Sequence, residues 1–307
     1  MAAPATGEQH HLTLDDGSVT AVVAELGASL RELVVDGVRL VQDYGADALP
    51  SQASGVVLVP WPNRVRAGRW TLGSTPQQLD LTEPARGNAT HGLLRNTGYR
   101  VTDRSDSALT LTAPVFPQHG YPFHLDTSVR FELRPDGLTV THGLRNAGPD
   151  AAPVGIGVHP YLRVGDTPFE ELTVTVAAST AIVTDEAKIP VGERDVTGTD
   201  LDLRGGRRLA GLDLDQGYTD IALQDGLVRH RLTAPDGSGV ELWGEPDFAF
   251  TQVFTTDVYD TDDGRIHAVA IEPMTCAADA LNSGRGLTWL APDEQWVTSW
   301  GLTRIRA

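Results

Sequence analysis

The sequence predicts an all-β protein, built as one large antiparallel β-sandwich with few short helices. Short runs that alternate apolar and polar residues are separated by turn-forming residues, which is the pattern of hairpin-connected strands. No stretch of the 307 residues repeats apolar side chains at the helical period with a cap at each end. Numerous strands at close spacing favour an antiparallel sandwich over a doubly wound α/β fold.

Asp-Gly dipeptides supply most of the predicted hairpin turns, because both residue types tolerate the backbone that tight turns require. They occur at residues 16–17, 36–37, 136–137, 225–226, 236–237 and 263–264. Most lie between two strand-like runs, as in SVRFEL-RPDG-LTVTHGL. The segment Ala108–Pro114 alternates strictly and predicts a further strand. The string CAADALN, which begins at Cys276, predicts one or two helical turns at most.

The chain is expected to form a single domain over residues 1–307, because no linker rich in Pro, Ser or Gly divides it. Residues 1–10 are predicted to be a frayed terminus. The polar stretch Thr184–Arg208 is predicted to be a long connection with a strand or two inside it. The N-terminus lacks a signal-peptide pattern and no apolar run approaches a membrane span, which favours a cytoplasmic protein. We expect a monomer or a homodimer.

Composition excludes several functional classes. A net charge of −17 disfavours nucleic acid or an anionic membrane as a partner. The single cysteine, Cys276, excludes an internal disulfide and is expected to be a buried bystander. Scattered histidines without metal-ligand spacing predict no metal site. Lysine occurs once, at Lys188, which we interpret as codon bias of a GC-rich genome, with a salt-adapted surface as the alternative.

Two strings of similar shape carry the first functional signal. GIGVHPY contains His159 and AVAIEPM contains Glu272, and in each an ionisable side chain follows an apolar run and precedes a proline. The proline restricts the preceding residue to extended backbone and removes a ladder donor. Each buried strand is therefore predicted to stop with an acid–base group at its rim. An acid and a base without metal motifs suggest proton transfer on a small molecule.

Other polar residues are weaker candidates. His91 lies between a polar run and a glycine, where backbone can approach a ligand closely. Asn63 and Arg64 follow two prolines and a tryptophan, which predicts a constrained loop, with Arg66 as a competitor for the arginine role. Asp215 cannot be distinguished by spacing from its neighbours Asp213 and Asp220. His142 lies inside an alternating run and is predicted to be a packing residue of a strand.

The chain resembles the aldose 1-epimerases, or galactose mutarotase-like proteins, in a series of strings that follow the family's order. They are Pro62-Asn63-Arg64 with Gly68 soon after, His91-Gly92, GYPFHLDTSVRFEL-RPDG-LTVTHGLRNAG leading into GVHPY, IPVGERDVTGTDLDLR, LDQGY at Leu214–Tyr218, and IEP-MTCAADALN. Each string alone is weak, whereas all of them in order over most of the chain are specific.

The resemblance implies a galactose mutarotase-like sandwich that interconverts α and β anomers of a free aldose, of the galactose or glucose type, without a cofactor. It implies Glu272 as the general base at the C1 hydroxyl and His159 as the general acid at the ring oxygen. It also implies sugar-hydroxyl contacts from Arg64, with Asn63 beside it, and from two further residues. These are His91, near the ring oxygen as a second potential proton donor, and Asp215, which the family's Asp-x-x-aromatic pattern selects.

Departures from the family pattern leave the substrate open. Met274 and Ala277 or Ala278 stand where many relatives carry Gln and Pro, and Leu162 replaces a common aromatic residue. Hexose 6-phosphates are an alternative, with the phosphate held by basic residues such as Arg66, Arg69, Arg95 and Arg163. A non-catalytic carbohydrate sensor is another. A hydrolase or lyase is a weaker one, since hydrolysis normally needs two carboxylates and only Glu272 is a clear candidate.

Overall fold

Strands make up nearly all of the regular structure in a computed structural model that describes residues 4–307. The first are β1 (Gln9–Thr13), β2 (Val19–Ala24), β3 (Ser29–Val35), β4 (Val38–Arg39), β5 (Val57–Leu58), β6 (Arg64–Val65), β7 (Arg69–Leu72), β8 (Thr75–Gln78) and β9 (Ala89–Thr90). They are followed by β10 (Arg100–Arg104), β11 (Ala108–Val115), β12 (Leu125–Arg134), β13 (Gly137–Asn146), β14 (Ala152–Val154), β15 (Gly157–Val158), β16 (Tyr161–Leu162), β17 (Thr173–Val176) and β18 (Ala178–Thr184).

The remaining strands are β19 (Pro190–Asp195), β20 (Arg207–Arg208), β21 (Asp215–Ile221), β22 (Val228–Thr233), β23 (Gly239–Gly244), β24 (Phe250–Thr261), β25 (Gly264–Met274), β26 (Thr288–Leu290) and β27 (Gln295–Ile305). Helical structure in the described part is limited to α1 (Ala280–Ser283) and three 3-10 turns, at Ser51–Ala53, Arg66–Gly68 and Phe169–Glu171. The predicted fold class is therefore confirmed: the protein is nearly all-β, with antiparallel sheets.

Two large sheets dominate the molecule. One has nine strands in the order β10-β11-β12-β13-β27-β23-β22-β17-β20. The other has eight, in the order β19-β18-β21-β24-β25-β15-β5, with β16 also paired to β25. A four-stranded sheet, β1-β2-β3-β4, and three two-stranded ribbons, β14-β26, β6-β9 and β7-β8, complete the arrangement.

The sheets share one core, to which alternate residues of their strands contribute buried side chains. In β12 every second residue is buried, from Leu125 to Leu133, as its apolar–polar alternation predicts. Side chains from both large sheets, including Leu302 of β27 and Ile271 of β25, belong to one buried apolar cluster. The cluster also takes in Leu12 of β1, so the small N-terminal sheet shares the same core. This continuity supports the single-domain expectation, which stays a prediction.

Five of the six Asp-Gly dipeptides form turns between paired strands: β1–β2, β3–β4, β12–β13, β22–β23 and β24–β25. The dipeptide at residues 225–226 instead joins β21 to β22, which belong to different large sheets. Its turn therefore passes the chain between the layers of the sandwich. The stretch Thr184–Arg208 contains β19 and β20, as expected.

The expectation of a frayed N-terminus is wrong where the structure describes it. Gln9 and His10 open β1, which pairs with β2 along its whole length. His10 is only 1% exposed, because alternate residues of β1 face the core. Residues 1–3 of the predicted frayed segment lie outside the described part of the chain.

The large sheets end in short or polar edge strands. All five residues of β10 are exposed, and so are the last five of β19. The far edge of the nine-stranded sheet is β20, which consists of two arginines. None of the helices in the described part of the chain has the length and apolar character that a membrane span requires.

Candidate functional site

A cavity of about 360 Å³ opens beside the eight-stranded sheet, and all six predicted site residues line it. They are Asn63, Arg64, His91, His159, Asp215 and Glu272. The volume lies within the range of small-molecule sites. The remaining lining residues are Gln52, Ala53, Thr82, Glu83, Arg86, Thr90, Arg95, Gln252 and Phe254. Residues far apart in sequence therefore converge on one polar cleft.

The floor of the cleft is one face of three adjacent strands, β21, β24 and β25. Gln252 pairs directly with Glu272, and Asp215 pairs with Phe254. Because alternate residues point to the same face, these side chains rise side by side while Val253 and Ile271 enter the core. A Cβ at Gly217 would lie 3.2 Å from Oε1 of Gln252, so the glycine leaves room for that carboxamide.

Glu272 lies within a strand, which corrects the prediction that its strand stops there. β25 continues through Pro273, opposite Thr251, to Met274. On the other side β15 pairs only with Met274 and β16 only with Val269 and Ala270. Residues 271–273 therefore have no strand partner on that side, and the proline interrupts no ladder there. Glu272 is held by the sheet rather than by a loop.

His159 occupies the gap between β15 and β16, immediately after a strand end, as predicted. Its backbone is tied at both ends: its N–H donates to Val56 O at 3.2 Å, and its carbonyl accepts from Gly55 N at 2.8 Å. The imidazole stacks on Tyr161, with ring centroids 5.2 Å apart, and meets His91 edge to face at 5.6 Å. Its Nε2 lies 3.4 Å from Oε1 of Glu272.

Burial moves this pair away from its usual protonation. Glu272 is 2% exposed and lies between two small apolar clusters, one with Ala270 and the other with Met274. Desolvation raises the pKa of Glu272 well above its ordinary value, the charge of Asp215 raises it further, and Arg64 partly opposes this. Desolvation also lowers the pKa of His159 to about 4. Burial therefore favours a neutral carboxyl beside a neutral imidazole.

Arg64 is fixed in the wall of the cleft by Glu83. Its Nε and Nη2 donate to the two carboxylate oxygens at 2.9 and 3.0 Å. Arg86 and Asn88 donate to the same carboxylate at 3.1 and 3.2 Å. Burial alone would raise the pKa of Glu83, but the Arg64 and Asn88 contacts outweigh it and lower that pKa. The bidentate pair holds the guanidinium plane in one orientation.

His91 reaches the cleft because of an unusual backbone. It pairs through its N–H with Asn63 O at 2.8 Å and has φ of 62°, in the left-handed region. Gly92 follows with φ of 68°, and a Cβ there would lie 2.1 Å from Val59 O. Glycine is therefore required after the histidine. Desolvation lowers the pKa of His91 well below its ordinary range, and His159 lowers it further.

Asp215 is selected over its neighbours by position. It opens β21 half-buried at the cleft, whereas Asp213 and Asp220 are exposed. Its Oδ1 accepts a hydrogen bond from Nε2 of Gln252 at 2.7 Å. Its Oδ2 lies 3.1 Å from Nζ of Lys188.

Several residues of the site escaped the sequence analysis. Gln252 follows Thr251 as the second of two polar residues in the apolar run FAFTQVF, which is a signal that could have identified it. Phe254 offers the cleft an aromatic side chain beside Asp215. Glu83 and Lys188 carry no local signal, because only their ion pairs with Arg64 and Asp215 bring them to the site.

Other candidates lie away from the cleft. His142 is buried in β13, where its Nε2 accepts a hydrogen bond from Trp300 Nε1 at 3.0 Å, as expected of a packing residue. Cys276 is fully buried, which raises the pKa of its thiol to about 12. Arg66 is exposed and pairs with Asp185 at 2.9 Å. Within residues 4–307, no three His, Cys, Asp or Glu side chains converge as metal ligands would.

Comparison with known proteins identifies a family over nearly the whole chain. The aldose 1-epimerase family profile matches residues 10–302. The uncharacterized protein YihR of Escherichia coli K12 is 30% identical over 283 residues, which cover 91% of this chain and 88% of YihR.

Solved structures share the fold. A putative aldose 1-epimerase from Escherichia coli K12 matches with a TM-score of 0.83 and 22% identity, covering 98% of this chain and all of that one. A galactose 1-epimerase from Lactobacillus acidophilus matches with a TM-score of 0.74 and 19% identity, covering 97% of this chain and 94% of that one.

Proposed function

We propose a function on the premise that the chain belongs to the aldose 1-epimerase family: it is a cofactor-independent mutarotase that interconverts α and β anomers of a free aldose of the galactose or glucose type. The observation that carries the proposal is an acid–base pair, Glu272 and His159, whose reacting atoms lie 3.4 Å apart in a polar cleft. Hydrogen-bonding side chains surround the pair, as recognition of a sugar requires.

Ring opening uses both members of the pair. The Glu272 carboxylate takes the proton of the C1 hydroxyl, and the O–H electron pair forms the C1=O1 double bond. The C1–O5 bond breaks, its electron pair passes to O5, and His159 delivers a proton there. General acid and general base assistance typically contribute about 10²–10⁴-fold each.

Reclosure reverses the roles. Rotation about C1–C2 presents the other face of the aldehyde to the O5 hydroxyl, whose proton returns to His159 as the C1–O5 bond re-forms. Glu272 then returns its proton to O1. No atom is gained or lost over the cycle, so the pair ends with the same single proton with which it began.

The side chains around the pair suit the sugar hydroxyls. Glu83 occupies Nε and Nη2 of Arg64, and among the described residues Nη1 makes no hydrogen bond. That nitrogen is free to donate to a hydroxyl. Asp215 and Gln252 supply acceptors and a donor on the floor, and Phe254 supplies an apolar side chain against which sugar C–H groups can pack.

The test is NMR exchange between anomers of galactose and glucose, with wild type and Glu272→Gln. Wild type is expected to accelerate exchange, and the variant to lose at least 100-fold of that acceleration, because the amide cannot accept the C1 proton. Sugar affinity, measured by calorimetry, is expected to change less than tenfold. Undiminished activity in the variant would contradict the assignment of Glu272. Binding without acceleration by wild type would favour a sensor.

A hexose-6-phosphate mutarotase is the second candidate, and one residue supports it. Of the four arginines suggested by the sequence, only Arg95 lines the cleft, half-buried, and its one hydrogen bond among the described residues is 3.4 Å long, to Thr82 O. Arg163 pairs with Asp43 and Asp166 outside the cleft. The same NMR experiment with glucose 6-phosphate, on wild type and Arg95→Gln, tests this candidate. Faster exchange of glucose 6-phosphate than of glucose in wild type, lost in Arg95→Gln, would support it.

A further inference from the structure

The only lysine of the chain contacts the candidate sugar site, whereas the other 23 basic side chains are arginines. Composition alone suggested that this residue reflects codon usage. The structure places Nζ of Lys188 at 3.1 Å from Oδ2 of Asp215, with 32% of the lysine side chain and 19% of the aspartate side chain exposed. The interpretation of Lys188 as a mere trace of codon usage therefore has to be reconsidered.

The loop that carries Lys188 is rigidly tied. It joins β18 to β19, and Oδ1 of Asp185 accepts hydrogen bonds from Ala187 N and Ile189 N, each at 3.0 Å. The Lys188 N–H donates to Asp185 O at 2.9 Å, and Lys188 itself has φ of 61°. A residue held in the left-handed region costs free energy, and it persists where the surrounding contacts impose it.

Two further contacts fasten this loop to the wall of the cleft. Oδ2 of Asp185 lies 2.9 Å from Nη2 of Arg66, two residues beyond Arg64. Nδ2 of Asn88 donates to Ala187 O at 2.9 Å and to Glu83 at 3.2 Å. The loop is thus connected to the same structure that orients Arg64, and it presents Lys188 to Asp215 from outside the cleft.

The geometry around Asp215 indicates that Lys188 helps to orient its carboxylate. Lys188 and Gln252 each hold one carboxylate oxygen, at 3.1 and 2.7 Å, so the carboxylate cannot rotate freely. A carboxylate offers about four acceptor positions, and these two contacts leave others for sugar hydroxyls. A small cavity on the Lys188 side, lined also by Ile182, is only about 10 Å³.

The balance of charges in the cleft also indicates a role for Lys188 at Asp215. Three carboxylates line it: Glu83, Asp215 and Glu272. Glu83 has Arg64 and Arg86 as partners, and Asp215 has Lys188. Without the lysine, Asp215 would have no ion-pair partner among the described residues. An Asp215 carboxylate that is fixed in orientation and neutralised by Lys188 is a better-positioned acceptor for a sugar hydroxyl.

We propose that Lys188 is a positioning residue that holds and neutralises Asp215 for sugar binding. The proposal rests on the proposed function for the identity of the ligand. It predicts that the affinity for the sugar, rather than the rate of the bound complex, depends on the ammonium group.

Variants at Lys188 provide the first test. Lys188→Met is expected to raise the Kd for galactose, measured by calorimetry, and the KM, measured by NMR exchange, at least tenfold, with kcat changed less than threefold. Lys188→Arg restores the charge and is expected to recover part of the affinity. Arg265→Met removes an exposed ion pair with Asp260 on a distant hairpin and is the matched control, expected to match wild type. Unchanged Kd and KM in Lys188→Met, with wild type active, would overturn the proposal while leaving the proposed function intact.

Chemical acylation tests the wild-type chain, so the answer does not depend on a variant's folding. The unprotonated amine attacks the carbonyl of an N-hydroxysuccinimide acetate; the N–C bond forms, the ester C–O bond breaks, N-hydroxysuccinimide leaves and the amine proton passes to buffer. Lys188 is the sole side-chain amine, and the α-amino group is the internal control in peptide mapping. Saturating galactose is expected to slow acylation of Lys188 alone, and the acylated protein to bind galactose at least tenfold more weakly. Equal acylation rates together with unchanged affinity would refute the role.

Discussion

One proton, shared between Glu272 and His159, determines the protonation state in which the proposed reaction runs. Burial raises the pKa of the carboxyl and lowers that of the imidazole, so the proton rests on Glu272. The reactive form, carboxylate beside imidazolium, contains the same number of protons. The 3.4 Å separation makes the two forms tautomers of one pair rather than different titration states.

A bell-shaped pH profile follows from this pair. Below about pH 4 His159 is protonated while Glu272 is neutral, so no base remains. Above the raised pKa of Glu272 the pair has lost its proton, so no acid remains. We expect kcat, measured by NMR exchange after subtraction of the uncatalysed rate at each pH, to be flat between these limits and to fall outside them. A rate that rises continuously with pH would contradict the shared-proton description.

The elements divide the site into a floor and a wall of different character. Glu272, Gln252 and Asp215 belong to paired strands, whose ladder fixes their spacing. His159 and His91 belong to connections between strands and depend on specific backbone conformations. Substitutions in the connections should therefore move the histidines without disturbing the floor.

Two glycine substitutions test this dependence. Gly92→Ala places a Cβ 2.1 Å from Val59 O at φ of 68°, whereas Gly17→Ala, at φ of 70°, meets open space. Gly17→Ala is expected to cost only the left-handed penalty, about 1–2 kcal/mol. Gly92→Ala is expected to cost more and to reduce activity by displacing His91. Urea unfolding measures the stability of both variants, and NMR exchange measures their activity. Equal free energies of unfolding would show that the contact between the new Cβ and Val59 O is relieved without cost.

At the scale of the whole molecule, buried histidines govern acid stability. Burial lowers the pKa of His142 to about 3 and that of His230 to about 4, while the unfolded value is about 6.5. The unfolded chain therefore takes up more protons below pH 6.5, so stability is fully present above that pH and falls toward pH 4. Glu272 acts in the opposite direction, since its raised pKa costs stability as pH rises, but it is a single group.

The free energy of unfolding is expected to fall by about 2 kcal/mol for His142, and by about the same for His230, when the pH is lowered from 7 to 5. The double variant His142→Gln/His230→Gln should reduce the loss of stability between pH 7 and pH 5 by about 4 kcal/mol, measured by urea unfolding at both pH values, while the contribution of His91 and His159 remains. His119→Gln, at an exposed position, is the control. A double variant with the wild-type pH dependence would assign the acid sensitivity to other groups.

Local sequence patterns were sufficient for part of this molecule. Alternation predicted β11, β12 and β13, and the His-Pro and Glu-Pro strings pointed to two side chains that the structure brings within 3.4 Å of each other. The pairing of β13 with β27 was not predictable, because it joins segments more than a hundred residues apart. Glu83 and Lys188 were missed for the same reason: their roles arise from contacts with Arg64 and Asp215.

Three of the four edge strands of the two large sheets carry charges that do not suit a partner strand. β10 reads RVTDR, β20 is Arg207–Arg208, and β19, PVGERD, begins with a proline and carries three charges. A second chain that extended either sheet at these edges would have to desolvate those charges. At these three edges, two copies of the protein are thus directed away from strand-to-strand growth, the route that leads to amyloid. The same charged edge strands are expected to protect the protein against fibril formation at high concentration.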